Sequence, residues 1–228
     1  MIRYSFKKFS SRFLVLIFIF FFNLISGCTP RLYITERSIS FSDNRLLLTK
    51  EYIHNHYALD DDVYITPKII VLHWTAINDF DSCFALFNME TLEGSRPDLE
   101  QAGKLNISIH YLVDRNGKVY HLMPDTLMAR HCIGLNYCSI GIENVGGENN
   151  IDNLTDEQIE SNILLVRQLK KKYPSIEYLI GHYEYRKFES RPLWLEKDLT
   201  YRTEKVDPGE RFMKSVREGA AELELKND

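Results

Sequence analysis

Cysteine is scarce in this chain: four among 228 residues, at positions 28, 83, 132 and 138, with no CxxC pair among them. A cysteine-built zinc cluster is therefore excluded. A basic excess is missing as well. With 28 Lys and Arg against 32 Asp and Glu, the net charge is −4, the wrong sign for a nucleic-acid partner. No apolar run reaches the roughly 20 residues that a membrane-spanning helix needs, and no internal repeat is visible. What is present, at 44% apolar residues, is enough for one domain with its own core.

The N-terminus is the most biased stretch. Residues 1–27 carry Arg3, Lys7, Lys8 and Arg12, no acid, and a wholly apolar run from Phe13 to Phe22. A basic segment followed by a short apolar one is the layout of an export signal. Ile25-Ser26-Gly27-Cys28 at its end resembles a bacterial lipoprotein box, which implies cleavage before Cys28 and lipidation of that residue. The expected anchor is thus lipid rather than a helix, and the mature chain, four positive charges poorer, carries −8. Thr29, not an aspartate, follows Cys28, which favours the outer membrane and periplasm in a cell with two membranes. An exported compartment permits disulfides. Cys132 and Cys138 are a candidate pair, with at least one of the three remaining thiols left over.

The pattern predicts four segments: a signal peptide over 1–27, a lipidated tether with a short N-terminal segment over 28–64, a folded domain over 65–216, and a tail over 217–228. Lys68–Thr75 reads as a buried strand, being apolar almost throughout. Asn116-Gly117 between two strand-like runs is a strong hairpin signal. Ser139–Val145 is a second buried strand. Thr155-Asp156-Glu157-Gln158 reads as a capping box opening a helix that Pro174 stops. Tyr178–Gly181 is a short strand, and Asp207-Pro208-Gly209 reads as the N-cap and first turn of a last helix. Strands alternating with helices give an α/β fold, a central mixed β-sheet flanked by helices. His54 and His56 precede the domain and are expected at the surface.

Three polar residues stand where these elements end: His73, His182 and Asp207. Each alone has an ordinary explanation, as a core histidine, a strand-end cap or a helix start. Together, two imidazoles and a carboxylate make a three-ligand set for zinc (Zn2+) that leaves a fourth position open. Zinc acidifies water and polarises a carbonyl, which amide hydrolysis needs. A carboxylate must still carry the proton to the leaving amine. Glu143, an acid after three buried strand residues, is the candidate.

His73-Trp74-Thr75-Ala76, Ile140-Gly141-Ile142-Glu143, Gly181-His182 and Lys205-Val206-Asp207-Pro208-Gly209 resemble, in order and context, the type 2 N-acetylmuramoyl-L-alanine amidases, which share a fold with peptidoglycan recognition proteins. The resemblance covers about residues 65–216. It implies His73, His182 and Asp207 as zinc ligands, Glu143 as acid-base, and Lys205 as the cation stabilising the oxyanion. The phage branch carries a helpful tyrosine where this chain has Ile109, so dependence on Glu143 is expected. His131 and Asn136 are expected to line the substrate groove, and His110 to be a structural hydrogen-bonder. The 25-residue interval from His182 to Asp207 is long, and its Tyr185, Arg186, Trp194 and Tyr201 are expected to wall the groove.

The implied activity is zinc-dependent hydrolysis of the amide between N-acetylmuramic acid and L-alanine in peptidoglycan or muropeptides, by a monomer held to a membrane through its lipid. The alternative is a non-catalytic peptidoglycan-binding lipoprotein. Loss of a ligand marks such binders, and here the set is complete. A metallo-amidase acting on another exported amide is a third reading.

Overall fold

The computed structural model describes residues 32–60, 62–92, 94 and 96–228, together with Met1. The signal segment and Cys28 lie outside the described residues. Six strands form one sheet in the order β1-β4-β3-β5-β2-β6. They are β1 (Ile34–Glu36), β2 (Ile69–Trp74), β3 (Tyr111–Val113), β4 (Val119–His121), β5 (Ser139–Asn144) and β6 (Tyr178–Gly181). Only the β3–β4 hairpin, turning at Asn116-Gly117, is antiparallel; the other pairings are parallel. Among the described residues no helix is long and apolar enough to cross a membrane.

All six residues of β2 are buried, and their alternation divides the molecule. Ile70, Leu72 and Trp74 face one core with Ile140 and Ile142 of β5. That core is covered by α4 (Asp156–Lys172) and α5 (Glu210–Gly219) through Leu165, Val166, Leu169, Phe212, Met213 and Val216. Ile69 and Val71 face the other core, with Tyr52 and Ile53 of α1 (Asp43–Tyr57) and Met128, Leu135 and Ile180. The capping box at Thr155 and Gln158 forms as the sequence indicates. Gln158 also donates to the carbonyls of Val113 and Val145, tying α4 to the ends of β3 and β5. Helices α2 (Phe80–Asn88) and α3 (Pro97–Glu100) follow β2.

Several expectations change. The segment read as a tether is built into the domain from residue 32. β1 pairs with β4 in the register Ile34↔Val119, and Ser42 caps α1 by accepting from the Asn44 and Arg45 amides. Arg45, fully buried, donates to the carbonyls of Phe87, Asn88 and Met89, a cation placed where a helix C-terminus concentrates negative charge. The tail is docked too: Leu179 donates to the Lys226 carbonyl at 2.8 Å and extends the β6 edge. His56 is buried rather than superficial, whereas His54 is exposed. Cys132 and Cys138 are not joined; both are buried free thiols, as is Cys83. Their turn is closed instead by Asn136, whose side-chain Oδ1 accepts from the His131 and Cys132 amides.

Candidate metal centre and active site

Parallel strands bring their carboxyl ends to one edge, where ligands characteristically bind. His73 is the fifth residue of β2, Glu143 the fifth of β5, and the two are register partners. They therefore share one sheet face, one strand spacing apart, opposite the face covered by α4 and α5. β6 ends at Gly181, and His182 follows it directly. Asp207 joins them from the loop before α5.

Asp207 is not the cap of that helix. α5 begins at Glu210 with Gly209 as its N-cap and no side-chain cap. Asp152 serves that end from outside, accepting from the Phe212 amide and pairing with Arg211. The Asp207 carboxylate instead meets the two histidines. His73 Nδ1 lies 3.0 Å from His182 Nδ1 and 3.2 Å from Asp207 Oδ2, and His182 Nδ1 lies 3.1 Å from the same oxygen. These three residues form a buried group able to hold a metal ion.

Neighbouring hydrogen bonds fix which atoms are lone pairs. The single hydroxyl proton of Ser139 goes to the Leu135 carbonyl at 2.8 Å, so Ser139 Oγ accepts from His131 Nε2 at 3.2 Å. His131 Nδ1 must then accept from His73 Nε2 at 3.0 Å, which leaves His73 Nδ1 as an acceptor. Two acceptors, His73 Nδ1 and Asp207 Oδ2, thus face one point beside a third ring nitrogen, an arrangement that suits a shared cation. For zinc with bonds near 2.0–2.1 Å, the tetrahedral donor–donor edge is about 3.3 Å, close to the observed triangle. The outer partner of a metal-ligating imidazole fixes its tautomer, and His131 holds that place for His73.

The charges follow from burial. Desolvation pushes His182 down to about 4, so its ring is neutral at pH 7. His131 is pushed down by desolvation and by His73 beside it. Burial would raise Asp207, but His182 beside it holds it well below the usual carboxylate range. Glu143 is shifted the other way, raised well above its ordinary value by desolvation and then by Asp207. Its Oε2 is buried without any hydrogen-bond partner. Lys205, half-buried, forms no ion pair with it or with any other acid among the described residues.

All five residues line one cavity of about 320 Å³. The expected groove residues divide. His131 lines the cavity behind His73. Asn136 also borders it, but its amide is engaged inward, accepting from two backbone amides and donating to the Tyr57 and Tyr52 hydroxyls. Of the long interval, Tyr201, Thr203 and Lys205 reach the cavity, whereas Trp194 packs against Gly134 and Tyr185. His110 is fully buried, donating from Nε2 to the Leu127 carbonyl and accepting at Nδ1 from the Gly141 amide. Ile109 is buried against Gly141, where a Cβ would overlap Ile109 and the His131 ring.

The class is that of a mixed sheet carrying, at the carboxyl ends of its parallel strands, a three-donor group that could hold a metal ion, with an acid oxygen lacking a partner beside it. The sequence matches the N-acetylmuramoyl-L-alanine amidase family over residues 63–210, and the chain belongs to that family. Among solved structures it is similar to the N-acetylmuramoyl-L-alanine amidase LysC from Clostridium intestinale URNW, at 22% identity and TM-score 0.51, covering 87% of this chain and 100% of that one. The endolysine N-acetylmuramoyl-L-alanine amidase LysCS from the same organism aligns at 20% identity and TM-score 0.53, covering 86% and 99%. Human PGRP-IBETAC in complex with glycosamyl muramyl pentapeptide aligns at 15% identity and TM-score 0.46, over 67% and 83%. Among curated proteins no relative matches the chain significantly.

Proposed function

We propose that this protein is a zinc-dependent amidase that cleaves the bond between the lactyl group of N-acetylmuramic acid and L-alanine in peptidoglycan or muropeptides. The observation that carries the reading is the triangle of His73 Nδ1, His182 Nδ1 and Asp207 Oδ2 beside a half-buried Glu143 whose Oε2 is buried without a partner. His73, His182 and Asp207 would hold the ion. When bound, zinc supplies Lewis acidity, acidifying water and polarising the amide carbonyl. Glu143 takes the proton of the attacking water and delivers it to the leaving alanine nitrogen. Its raised pKa suits a group that must both accept and release a proton near neutrality. Lys205 lines the cavity, and its ammonium is the cation that would stabilise the oxyanion of the tetrahedral intermediate. His131 keeps the His73 ring in the tautomer that leaves Nδ1 free.

The same reading includes an exported, lipid-anchored protein, with Cys28 as the acylated residue, held at the envelope where the substrate is. Two assays test it. Residues 29–228 are incubated with purified peptidoglycan and with a defined muropeptide, with and without a zinc chelator, and products are read by mass spectrometry. Free stem peptide beginning at L-alanine, lost on chelation, is the expected result. Intact substrate from a folded, zinc-loaded protein would leave the binding module as the better reading. Metabolic labelling with a clickable fatty acid, lost in Cys28→Ser, checks the anchor.

A further inference from the structure

Two members of the metal-binding group, His182 and Asp207, stand at the two ends of one excursion of the chain, residues 183–206. Its base is closed by the Tyr183 amide donating to the Asp207 carbonyl at 3.0 Å. Beyond the tight turn His182–Phe188 the excursion has no helix or strand, yet it supplies Tyr201, Thr203 and Lys205 to the cavity wall. A segment without ladder hydrogen bonds depends on side-chain anchors for its position.

One anchor is a buried polar pair that the chemistry leaves unused. His56, in the last turn of α1, sets Nδ1 2.8 Å from Glu196 Oε1 in the middle of the excursion. Its Nε2 lies 2.9 Å from the Ala102 carbonyl. A carbonyl only accepts, so Nε2 carries a proton, and a second proton lies between Nδ1 and the carboxyl group. The backbone repeats the link, the Lys197 amide donating to the His56 carbonyl at 2.9 Å. The His56 ring stacks on Tyr52 at 4.2 Å and meets the Tyr201 ring at 5.3 Å. Glu196 has no side-chain exposure, and its second oxygen has no partner. Apolar side chains would fill this space at lower desolvation cost; a buried polar pair accepts one geometry only.

We propose that His56 and Glu196 are positioning residues: a latch between α1 and the 183–206 strap that sets where Tyr201, Thr203 and Lys205 stand relative to His73 and Glu143 on the sheet. The kinetic half of this inference rests on the amidase reading; the structural half does not.

The test uses the full chain in detergent micelles with zinc. His56→Phe keeps a ring on Tyr52 and removes both N–H groups. Glu196→Gln keeps the link, its amide N–H donating to Nδ1. Breaking the latch should expose the strap, so trypsin should cut after exposed Lys197 about tenfold faster in His56→Phe, with unchanged circular dichroism. Over the same variant kcat/KM on a defined muropeptide should fall about tenfold, while Glu196→Gln stays within about twofold of wild type in both readouts. Wild-type cleavage at Lys197 in folded His56→Phe would overturn the proposal. Global unfolding of both variants would also overturn it, making the pair a folding element. If no variant, wild type included, hydrolyses muropeptide, the amidase reading has failed while the proteolysis still decides the latch.

Discussion

The two faces of β2 and β5 are made by alternate residues of the same strands, yet they do opposite things. On one face Ile70, Leu72, Ile140 and Ile142 are sealed under Leu165, Val166 and Phe212, and the polar groups buried there bond one another or the backbone, as Asn162 does in donating to Asn144 and Gln158 in donating to Val113 and Val145. On the other, the same alternation reaches His73 and Glu143, a buried acceptor aimed at another acceptor and a half-buried acid whose inner oxygen has no partner. The first face lowers the free energy of the fold, and the second spends some of that stability on strained electrostatics. Active sites concentrate such unfavourable groups because the reacting molecule or ion is the missing partner.

The sharpest way to break the comparison is to remove a donor. His182→Ala should lose bound zinc and drop hydrolysis to background, checked by elemental analysis of the purified protein and by product release. Metal retained at wild-type occupancy would mean that the triangle is not the centre. Glu143→Gln should separate the two roles of the polar face. Its kcat should fall by about 10²–10⁴, while zinc content stays unchanged. Because a half-buried acid with an unsatisfied inner oxygen becomes a neutral amide, urea unfolding of the zinc-free protein should show equal or greater stability, by up to about 1 kcal/mol.

The apolar face should answer in the reverse sense. Phe212 is fully buried on α5, and Phe212→Ala should cost about 3–5 kcal/mol of stability. Turnover per folded, zinc-loaded molecule should stay within about twofold, since Phe212 touches the sheet face away from the cavity. Titrating active sites with metal before measuring turnover distinguishes fewer molecules from slower ones. A fall in kcat equal to that of Glu143→Gln would erase the division between the faces.

What could be read from the sequence was whatever has a local cause. The β2 run, the Asn116-Gly117 turn and the Thr155 capping box each carry their reason within a few residues, and each lies where expected. β1 was missed because a three-residue edge strand has almost no periodicity, and its partner Val119 is far along the chain. His56 looked superficial because what buries it, Glu196, is 140 residues away. Asp207 carried a true local signal that lost to a distant one: it has the chemistry of an N-cap, but its carboxylate is held by His73 and His182. The fold misled least where residue 73 and residue 143 each ended an apolar run, since an abrupt polar residue there is visible without knowing its partner.

The smallest effect sharpens the boundary between structural and reactive histidines on the polar face. His110 is locked neutral, with Nδ1 accepting from Gly141 and Nε2 donating to Leu127, and burial pushes it down to about 4 from 6.5. The folded state therefore binds fewer protons than the unfolded chain between those two values, and stability must fall as pH drops through that window. The full shift corresponds to about 3 kcal/mol at 1.36 kcal/mol per unit. His110→Gln keeps a donor and an acceptor but cannot titrate. It should be less stable than wild type at pH 7 and lose less on acidification to pH 4.5, in urea unfolding with EDTA present so that metal release does not enter. Parallel pH curves for the two proteins would show that the acid sensitivity of this face does not come from His110.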